Sequence, residues 1–303
     1  MWTKENIPDQ TGKIAIVTGA NTGIGYQTAL ALYQAGAHVI IASRSLENAS
    51  EALNNMEATS GKGSLEKGLL NLASLKDIQK FADNFIKKHK KLDILINNAG
   101  VMTPPAAKTN DGFELQFGVN FLGHFALTAH LYSLLKQAPD ARVVTLSSGA
   151  YKSAQQIDFD NLRSEKSYDA FREYAISKLA DMQFTLELQR RVIQNGDRIL
   201  SLAAHPGVTE TSLSRHMPEE DFKAALKQFG ELMPAWQGAL SPLFAATSPL
   251  AKAGGYYGPD EENELRGFPG PAIINEIAND KEAANKLWQF AENATGINFF
   301  KTK

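Results

Sequence analysis

A glycine-rich loop between two regular patterns constrains the fold of this chain more than any other feature. Ile14-Ala15-Ile16-Val17 is short, apolar and rich in β-branched residues, and it ends at Thr18-Gly19. Residues 23–35 then carry apolar side chains at helical spacing, Gly36 ends that pattern, and a second apolar run covers 38–42. This order within about 30 residues is typical of a βαβ unit with two buried parallel strands.

The same alternation continues along the chain. Helical patterns cover 46–58, 74–90, 113–137 and 168–194, and strand patterns cover 69–70, 92–96, 142–146 and 199–203. Strands that alternate with helices predict an α/β fold, with a doubly wound, mostly parallel sheet and helices on both faces. We therefore expect a single Rossmann-type domain over residues 1–303.

Composition narrows the possible classes of protein. A hydrophobic fraction of 43% supports a sizeable core, and a net charge of −2 argues against nucleic-acid binding. The absence of cysteine excludes disulfides and thiolate catalysis. The N-terminus has no signal-peptide pattern, and no apolar run approaches membrane-spanning length, so we expect a cytoplasmic protein without a membrane span. No spacing of His, Asp and Glu along the sequence suggests a metal site.

The loop after the first strand suits a phosphate ligand. Glycines allow a tight turn and a close backbone approach, and the N-terminus of the next helix offers free N–H groups and a positive dipole end. The loop thus predicts a pyrophosphate site of a dinucleotide. The residues expected to form it are Gly19, Asn21, Thr22, Gly23, Ile24 and Gly25.

The end of the second strand predicts which dinucleotide is bound. An acidic residue here would bind both ribose hydroxyls of NAD and repel a 2′-phosphate. Ser43 occupies that position and Arg44 follows it. A guanidinium binds phosphate in a bidentate manner. The sequence therefore favours NADP(H) over NAD(H).

A second constellation indicates proton chemistry. Tyr174 and Lys178 are four residues apart, so they share one face of a helix. A phenol normally has a pKa near 10, and a nearby ammonium stabilises the phenolate. Ser147 and Ser148 follow the fifth strand, near the carboxyl edge of the sheet where ligands bind in such folds.

These motifs together resemble the short-chain dehydrogenase/reductase family, and the resemblance extends to about residue 270. The spacing Thr-Gly-x-x-x-Gly-x-Gly, the segment Asn97-Asn98-Ala99-Gly100 and the Tyr174/Lys178 pair carry it. The long separation of Ser148 from Tyr174 and the segment Glu264-Leu265-Arg266-Gly267 are closest in pattern to the retinol dehydrogenase-like branch. Many members of that branch have an N-terminal membrane anchor that is absent from this sequence, so the retinoid substrate is not carried over.

The resemblance implies specific roles. Ser148, with Ser147 as the alternative, would bind the substrate oxygen, and Tyr174 would exchange its proton with that oxygen. Lys178 would hold the nicotinamide ribose, and Asn120 would hold a water of the proton relay. Further residues expected to contact the cofactor are Asn71, Leu72, Asn98, Ala99, Gly100, Pro206, Val208 and Thr209.

The resemblance also implies a substrate side and an assembly. Residues 211–235 correspond to the segment that covers the substrate in the family, and their apolar side chains suit a small or lipophilic carbonyl or alcohol substrate. The family often forms homodimers through the two long helices, which are 113–137 and 168–194 in this chain.

Two alternative functions remain open from the sequence. A regulatory protein that binds NADP(H) without turnover usually lacks the Tyr or the Lys, whereas this chain has both. A light-driven ring reductase of the protochlorophyllide type shares the fold and the tyrosine–lysine pair. Such an enzyme normally depends on cysteines, of which this chain has none. We therefore expect an NADP(H)-dependent oxidoreductase that acts on a carbonyl or alcohol carbon.

Overall fold

An eight-stranded sheet forms the centre of the computed structural model, which describes residues 1–217 and 219–300. The strands are β1 (Ile14–Thr18), β2 (His38–Ser43), β3 (Ser64–Leu69), β4 (Ile94–Asn97), β5 (Arg142–Leu146), β6 (Leu200–Ala204), β7 (Tyr256–Glu261) and β8 (Arg266–Pro271). Their order is β3-β2-β1-β4-β5-β6-β7-β8, and all neighbours pair in parallel except β7 and β8. The predicted doubly wound, mostly parallel sheet is confirmed.

Helices cover both faces of this sheet. They are α1 (Gly23–Gln34), α2 (Leu46–Glu57), α3 (Leu75–Lys88), α4 (Gly123–Leu135), α5 (Ala170–Gln194), α6 (Glu219–Phe229), α7 (Ala235–Gly238), α8 (Leu240–Thr247), α9 (Glu276–Asn279) and α10 (Lys281–Thr295). Over residues 1–217 and 219–300, no helix has both the length and the apolar character needed to cross a membrane.

The core has two layers because successive side chains of a strand point to opposite faces of the sheet. Ile16 packs with the apolar side chains of α3, α4, α5 and α10. Its neighbours Ala15 and Val17 pack on the other face, with α1, α2 and α8. The helix–sheet–helix layers make the single Rossmann-type domain that the sequence predicts; residues 301–303 of the predicted span lie outside the described residues.

Two predicted elements have different bounds in the structure. The strand expected at 69–70 runs from Ser64 to Leu69, because an edge strand tolerates the charged Glu66 and Lys67, which hide its pattern. The helix expected over 113–137 is not continuous. It contains a π turn over Phe117–Leu122 before α4 begins at Gly123. Such single π turns are frequent at functional sites.

Candidate active site

A cavity of about 1080 Å³ lies at the carboxyl edge of the parallel strands. Its walls include the loops after β1, β2, β3, β4, β5 and β6, which the parallel topology brings to one edge. Every residue predicted to contact the cofactor lines this cavity. They are Gly19, Asn21, Thr22, Gly23, Ile24, Gly25, Arg44, Asn71, Leu72, Asn98, Ala99, Gly100, Tyr174, Lys178, Pro206, Val208 and Thr209.

The glycine loop is closely packed against the loop after β4. Gly19 has φ +67°, and a Cβ on it would lie 3.0 Å from the Cα of Ala99. A Cβ on Gly25 would overlap Asn98 Nδ2 and the Gly19 carbonyl oxygen. Only glycine fits at these positions, and the missing side chains leave the backbone open to the cavity. A pyrophosphate fits this cradle at the N-terminus of α1.

A buried polar chain holds the cradle in place. The Thr18 hydroxyl accepts hydrogen bonds from the backbone N–H groups of Asn98 and Ala99, each at 2.9 Å, and lies 2.9 Å from His124 Nε2. The His124 Nδ1 lies 2.7 Å from the carbonyl oxygen of Asn120. Since a carbonyl only accepts, Nδ1 carries the hydrogen. Burial lowers the pKa of His124 to about 3, so the ring is neutral and braces the loop.

The part of the cavity next to β2 carries positive charge. Arg44 is exposed and forms no ion pair with any residue of the described ranges, while Ser43 donates to Asn21 Oδ1 at 3.2 Å. The side-chain oxygen of Asn71 accepts from the backbone N–H of Ala73 at 3.2 Å, which leaves one lone pair of that oxygen for an adenine contact. Glu264 is the one carboxylate among the cavity-lining residues that the structure describes, and it belongs to the β7–β8 loop.

The structure brings Ser148, Tyr174 and Lys178 together on one wall of the cavity. The Lys178 ammonium lies 5.9 Å from the centre of the Tyr174 ring. Within the described part of the chain, the Tyr174 hydroxyl has no hydrogen-bond partner and is therefore available to a ligand. The Ser147 hydroxyl donates to the Lys178 carbonyl at 2.9 Å, whereas the Ser148 hydroxyl accepts from Ala150 N–H and keeps its hydrogen for another acceptor. This arrangement favours Ser148 over Ser147 as the serine that can donate a hydrogen bond to a ligand.

Asp181 is a neighbour of the lysine that the sequence interpretation missed. Lys178 Nζ donates to Asp181 Oδ2 at 2.8 Å and to the carbonyl oxygen of Leu146 at 2.7 Å, and both charged side chains are buried. Burial alone would lower the pKa of Lys178, but the Asp181 carboxylate and the Tyr174 phenol outweigh it and raise that pKa. The i, i+4, i+7 spacing of Tyr174, Lys178 and Asp181 on α5 could have indicated this residue.

Asn120 lies behind the cavity wall and not in it. It is buried in the π turn, where its side chain accepts from Val101 N–H at 2.8 Å and donates to the Val101 carbonyl and to Ser177 Oγ. Its carbonyl oxygen accepts from His124. Both N–H groups of the side chain predicted to hold a relay water are therefore used in bracing the loop after β4 and α5. One lone pair of its Oδ1 and one of its backbone carbonyl oxygen are left for water.

The predicted covering segment lines part of the cavity, mostly with apolar side chains. The described side chains that it contributes are Thr211, Leu213, Ser214, Arg215, Met217, Phe222, Phe229 and Leu232. The two ends of this segment are tied together, because Met233 N–H donates to the Val208 carbonyl and Glu210 N–H donates to the Met233 carbonyl. Pro218 lies within the segment but outside the described residues.

The β7–β8 loop adds a polar group to the cavity, Glu264, to which the sequence interpretation assigned no role at the site. Glu264 has φ +68° and forms an ion pair with Lys152 at 2.9 Å, and its other neighbour is His205 Nε2 at 3.6 Å. Burial would raise the pKa of Glu264, but the nearby His205 and the hydrogen bonds from Ile273 N–H and Lys152 lower it to about 2. The cavity wall thus carries a carboxylate charge between two nitrogen side chains.

Fold and site together define a dinucleotide-binding Rossmann oxidoreductase with a tyrosine–lysine pair. The family model for short chain dehydrogenases matches residues 13–221, and the chain belongs to that family. It is 39% identical to human retinol dehydrogenase 13, over 97% of this chain and 87% of the relative. The predicted membership of the retinol dehydrogenase-like branch is confirmed, and the chain is an NAD(P)-dependent oxidoreductase of alcohols and carbonyls.

Solved structures agree with this assignment. A crystal structure of an uncharacterized protein from Mycobacterium paratuberculosis superimposes with a TM-score of 0.81 at 35% identity and covers 98% of each chain. A Pseudomonas aeruginosa RhlG/NADP active-site complex has a TM-score of 0.64 at 24% identity, over 81% of this chain and 94% of that one, and it supports the fold alone.

Proposed function

We propose that this protein is an NADP(H)-dependent reductase or dehydrogenase of a lipophilic carbonyl or alcohol, with Tyr174 as its general acid and base. The observation that carries the proposal is the Tyr174 hydroxyl, which has no hydrogen-bond partner among the described residues and belongs to a side chain that lines the same cavity as Ser148 and Lys178. The cofactor, when bound, supplies the hydride. The cavity walls identified above supply binding, orientation and the proton.

Arg44 supports NADP(H) as the cofactor. Its guanidinium is exposed at the end of β2, and the neighbouring residues Ser43, Ser45 and Asn48 carry no negative charge. A 2′-phosphate would find a bidentate donor there and no carboxylate to repel it.

The proton chemistry follows from the three polar side chains. Ser148 and Tyr174 donate hydrogen bonds to the substrate oxygen, so that negative charge developing on that oxygen is stabilised. Tyr174 then gives up its proton to the alkoxide during reduction, or accepts it during oxidation. Lys178 remains an ammonium beside Tyr174, because Asp181 stabilises its charge in the buried site.

The lining of residues 211–235 supports a lipophilic substrate. Met217, Phe222, Phe229 and Leu232 line the cavity with apolar side chains, and we propose that this segment covers the substrate. A relative named retinol dehydrogenase is consistent with a long apolar alcohol or aldehyde. The predicted cytoplasmic location and the homodimer stay predictions.

Tyr174→Phe tests the proposal. We expect NADPH oxidation with an aldehyde panel to fall by about 10²–10⁴-fold, the usual contribution of general acid–base catalysis. NADPH affinity, measured by fluorescence titration, should stay within a factor of about two, since the ring and its packing remain. Near-normal turnover in Tyr174→Phe would refute the proton role, and NADPH binding by the parent protein without turnover of any carbonyl would favour a regulatory binder.

A further inference from the structure

Three side chains that are far apart in sequence converge at the other edge of the sheet. His38 begins β2, Glu66 lies in β3, and His89 caps the C-terminus of α3. The register pairs His38 with Ser64 and Ile40 with Glu66. Because alternate residues of a strand share a face, His38 and Glu66 point to the side of the sheet that α3 covers. The amino-terminal position of His38 puts this cluster roughly 17 Å along β2 from Ser43 and the cofactor cavity.

The distances within the cluster are longer than charge-assisted hydrogen bonds. Glu66 Oε2 lies 3.6 Å from His38 Nε2 and 3.4 Å from His89 Nε2, and the three atoms lie within 4.8 Å of one another. Charge-assisted hydrogen bonds between nitrogen and oxygen are about 2.7–2.9 Å long, so neither contact is one. Both Nε2 atoms are buried and have no hydrogen-bond partner in residues 1–217 and 219–300.

The same distances suit three ligands of one cation. Bonds of about 2.0–2.1 Å in a tetrahedral zinc site put neighbouring ligand atoms about 3.3 Å apart. The two contacts to Glu66 Oε2 are within a few tenths of an ångström of that spacing. The two imidazole nitrogens lie within 4.8 Å of each other, so they would approach by at most about 1.5 Å to reach that spacing. A water molecule would complete four-coordination.

The groups around the cluster orient its ligands. His38 Nδ1 lies 2.7 Å from Ser64 Oγ, which fixes the ring and directs Nε2 to the cluster. The His89 ring stacks on Phe85 at 4.4 Å between centroids. Lys88 donates to Glu66 Oε1 at 2.6 Å and leaves Oε2 for the metal. Such outer contacts are typical of metal sites, and the C-terminal end of α3 adds a negative dipole end that favours a cation.

We propose that His38, Glu66 and His89 form a binding site for a divalent transition-metal ion of the Zn²⁺ class. Two imidazoles and one carboxylate are ligands suited to Zn²⁺, Ni²⁺ or Co²⁺ rather than to Mg²⁺ or Ca²⁺, which prefer oxygen. The ion would tie the edge strand β3 and its neighbour β2 to the end of α3. It stabilises the fold at a distance from the cofactor cavity.

Calorimetric titration of the chelator-treated protein with Zn²⁺ alone tests the site. We expect one ion per chain and a higher thermal unfolding temperature in its presence, because a ligand of the folded state stabilises that state. His38→Gln, Glu66→Gln and His89→Gln should each weaken binding by at least about tenfold, since even an outer contact of a ligating histidine is worth about 10- to 100-fold. Ser64→Ala, which removes such an outer contact of His38, should weaken Zn²⁺ binding by about 10- to 100-fold.

The matched control is His130→Gln, which removes a half-buried histidine of α4 outside the cluster and should leave the isotherm unchanged. Circular dichroism and NADPH titration verify that each variant is folded. Co²⁺ substituted for Zn²⁺ should give the strong visible absorption of a four-coordinate site, and His89→Gln should remove it. No heat of Zn²⁺ binding by the parent protein, or binding that survives unchanged in both His38→Gln and His89→Gln, would overturn the proposal.

Discussion

Arg44 is the residue on which cofactor choice depends. Its exposed guanidinium has no acidic neighbour on the cavity wall, so a 2′-phosphate adds a charge-assisted contact that NADH cannot make. A hydrogen bond to a charged group contributes about 1.5–3 kcal/mol, which corresponds to roughly 10- to 150-fold in affinity. We expect Arg44→Asp to lower kcat/KM for NADPH by this factor and to leave that for NADH unchanged or higher.

Steady-state kinetics with both cofactors measure the ratio of kcat/KM for NADPH to kcat/KM for NADH. Arg198→Ala is a suitable control, because Arg198 is exposed and remote from the cavity. An Arg44→Asp variant that keeps the parental ratio of kcat/KM values would show that another group binds the 2′-phosphate.

Asp181 controls the charge of Lys178. Its carboxylate is the buried partner of that ammonium, and loss of one partner of a buried ion pair costs about 3–5 kcal/mol. The pKa of Lys178 is raised in the folded protein, so the buried ammonium contributes stability below the ordinary lysine pKa and loses it as pH rises through the raised value. Burial also raises the pKa of Asp181 to about 7, and this opposes stability as pH rises above the ordinary aspartate pKa. In Asp181→Asn burial is no longer opposed by that carboxylate, and the pKa of Lys178 should fall.

The expected result is a pH profile of kcat whose high-pH limb moves to lower pH in Asp181→Asn, together with a lower free energy of unfolding in urea. The double variant Lys178→Met/Asp181→Leu should recover most of that stability while remaining inactive, since an apolar pair replaces a buried charge. Equal stabilities of the parent protein and Asp181→Asn would contradict the role of the carboxylate.

At the scale of elements, the packing of the β1–α1 loop against the loop after β4 leaves no room at Gly25. A Cβ there overlaps Asn98 Nδ2 and the Gly19 carbonyl, and one of these is backbone. Overpacking of this kind costs about 1–3 kcal/mol. We expect Gly25→Ala to lower the unfolding midpoint and to abolish measurable NADPH binding in a fluorescence titration.

Gly149→Ala is the matched control for stability, because its Cβ would meet no atom within 4 Å. It should unfold like the parent. A Gly25→Ala variant that binds NADPH normally would mean that the loop can move apart without loss of the cradle.

The elements differ in how far the sequence could predict them. Buried parallel strands such as β1 and β2 are continuous apolar runs, so their positions were predictable to within a residue. β3 was misplaced because its position at the sheet edge leaves it half exposed, and its burial there does not alternate cleanly. The π turn at Phe117–Leu122 is also invisible, since a π turn and an α-helix have nearly the same apolar spacing.

The residues of the candidate site also differ in how far the sequence could predict them. The cofactor residues follow from motifs whose strand–loop–helix context is local in sequence. Asp181 could be predicted only by following the face of α5 for two helical turns past Tyr174. The group of His38, Glu66 and His89 has no regular spacing, and the sequence predicted no metal ligands there. Only the pairing of β2 with β3 and the return of α3 make these side chains neighbours.

At the scale of the whole molecule, the C-terminal helix changes the surface that the sequence interpretation assigned to a homodimer. α10 packs on α5, and Trp288 and Phe299 contact aromatic side chains of both α4 and α5. Residues of α10 and Phe299 thus cover part of the helix face that the sequence interpretation assigned to a homodimer. Dimerisation through that part would require α10 to leave, so we expect sedimentation equilibrium to report a monomer in place of the homodimer that the sequence predicts.

Trp288 anchors this cover and allows it to be tested. Its ring is buried, 5.1 Å from Phe125 and 4.8 Å from Phe299 between centroids, and the Arg191 guanidinium lies 4.6 Å from its centre. Replacement of a buried tryptophan by alanine costs about 3–5 kcal/mol. We expect Trp288→Ala to lower the midpoint of urea unfolding and to expose an apolar face that promotes association in sedimentation, because large uncovered apolar patches associate.

Trp236→Ala, at a half-exposed position in α7, should change the free energy of unfolding by under about 0.5 kcal/mol and leave the protein monomeric. If Trp288→Ala matched Trp236→Ala in both measurements, α10 would not be a structural part of the domain, and the α4–α5 face would again be open to a partner copy.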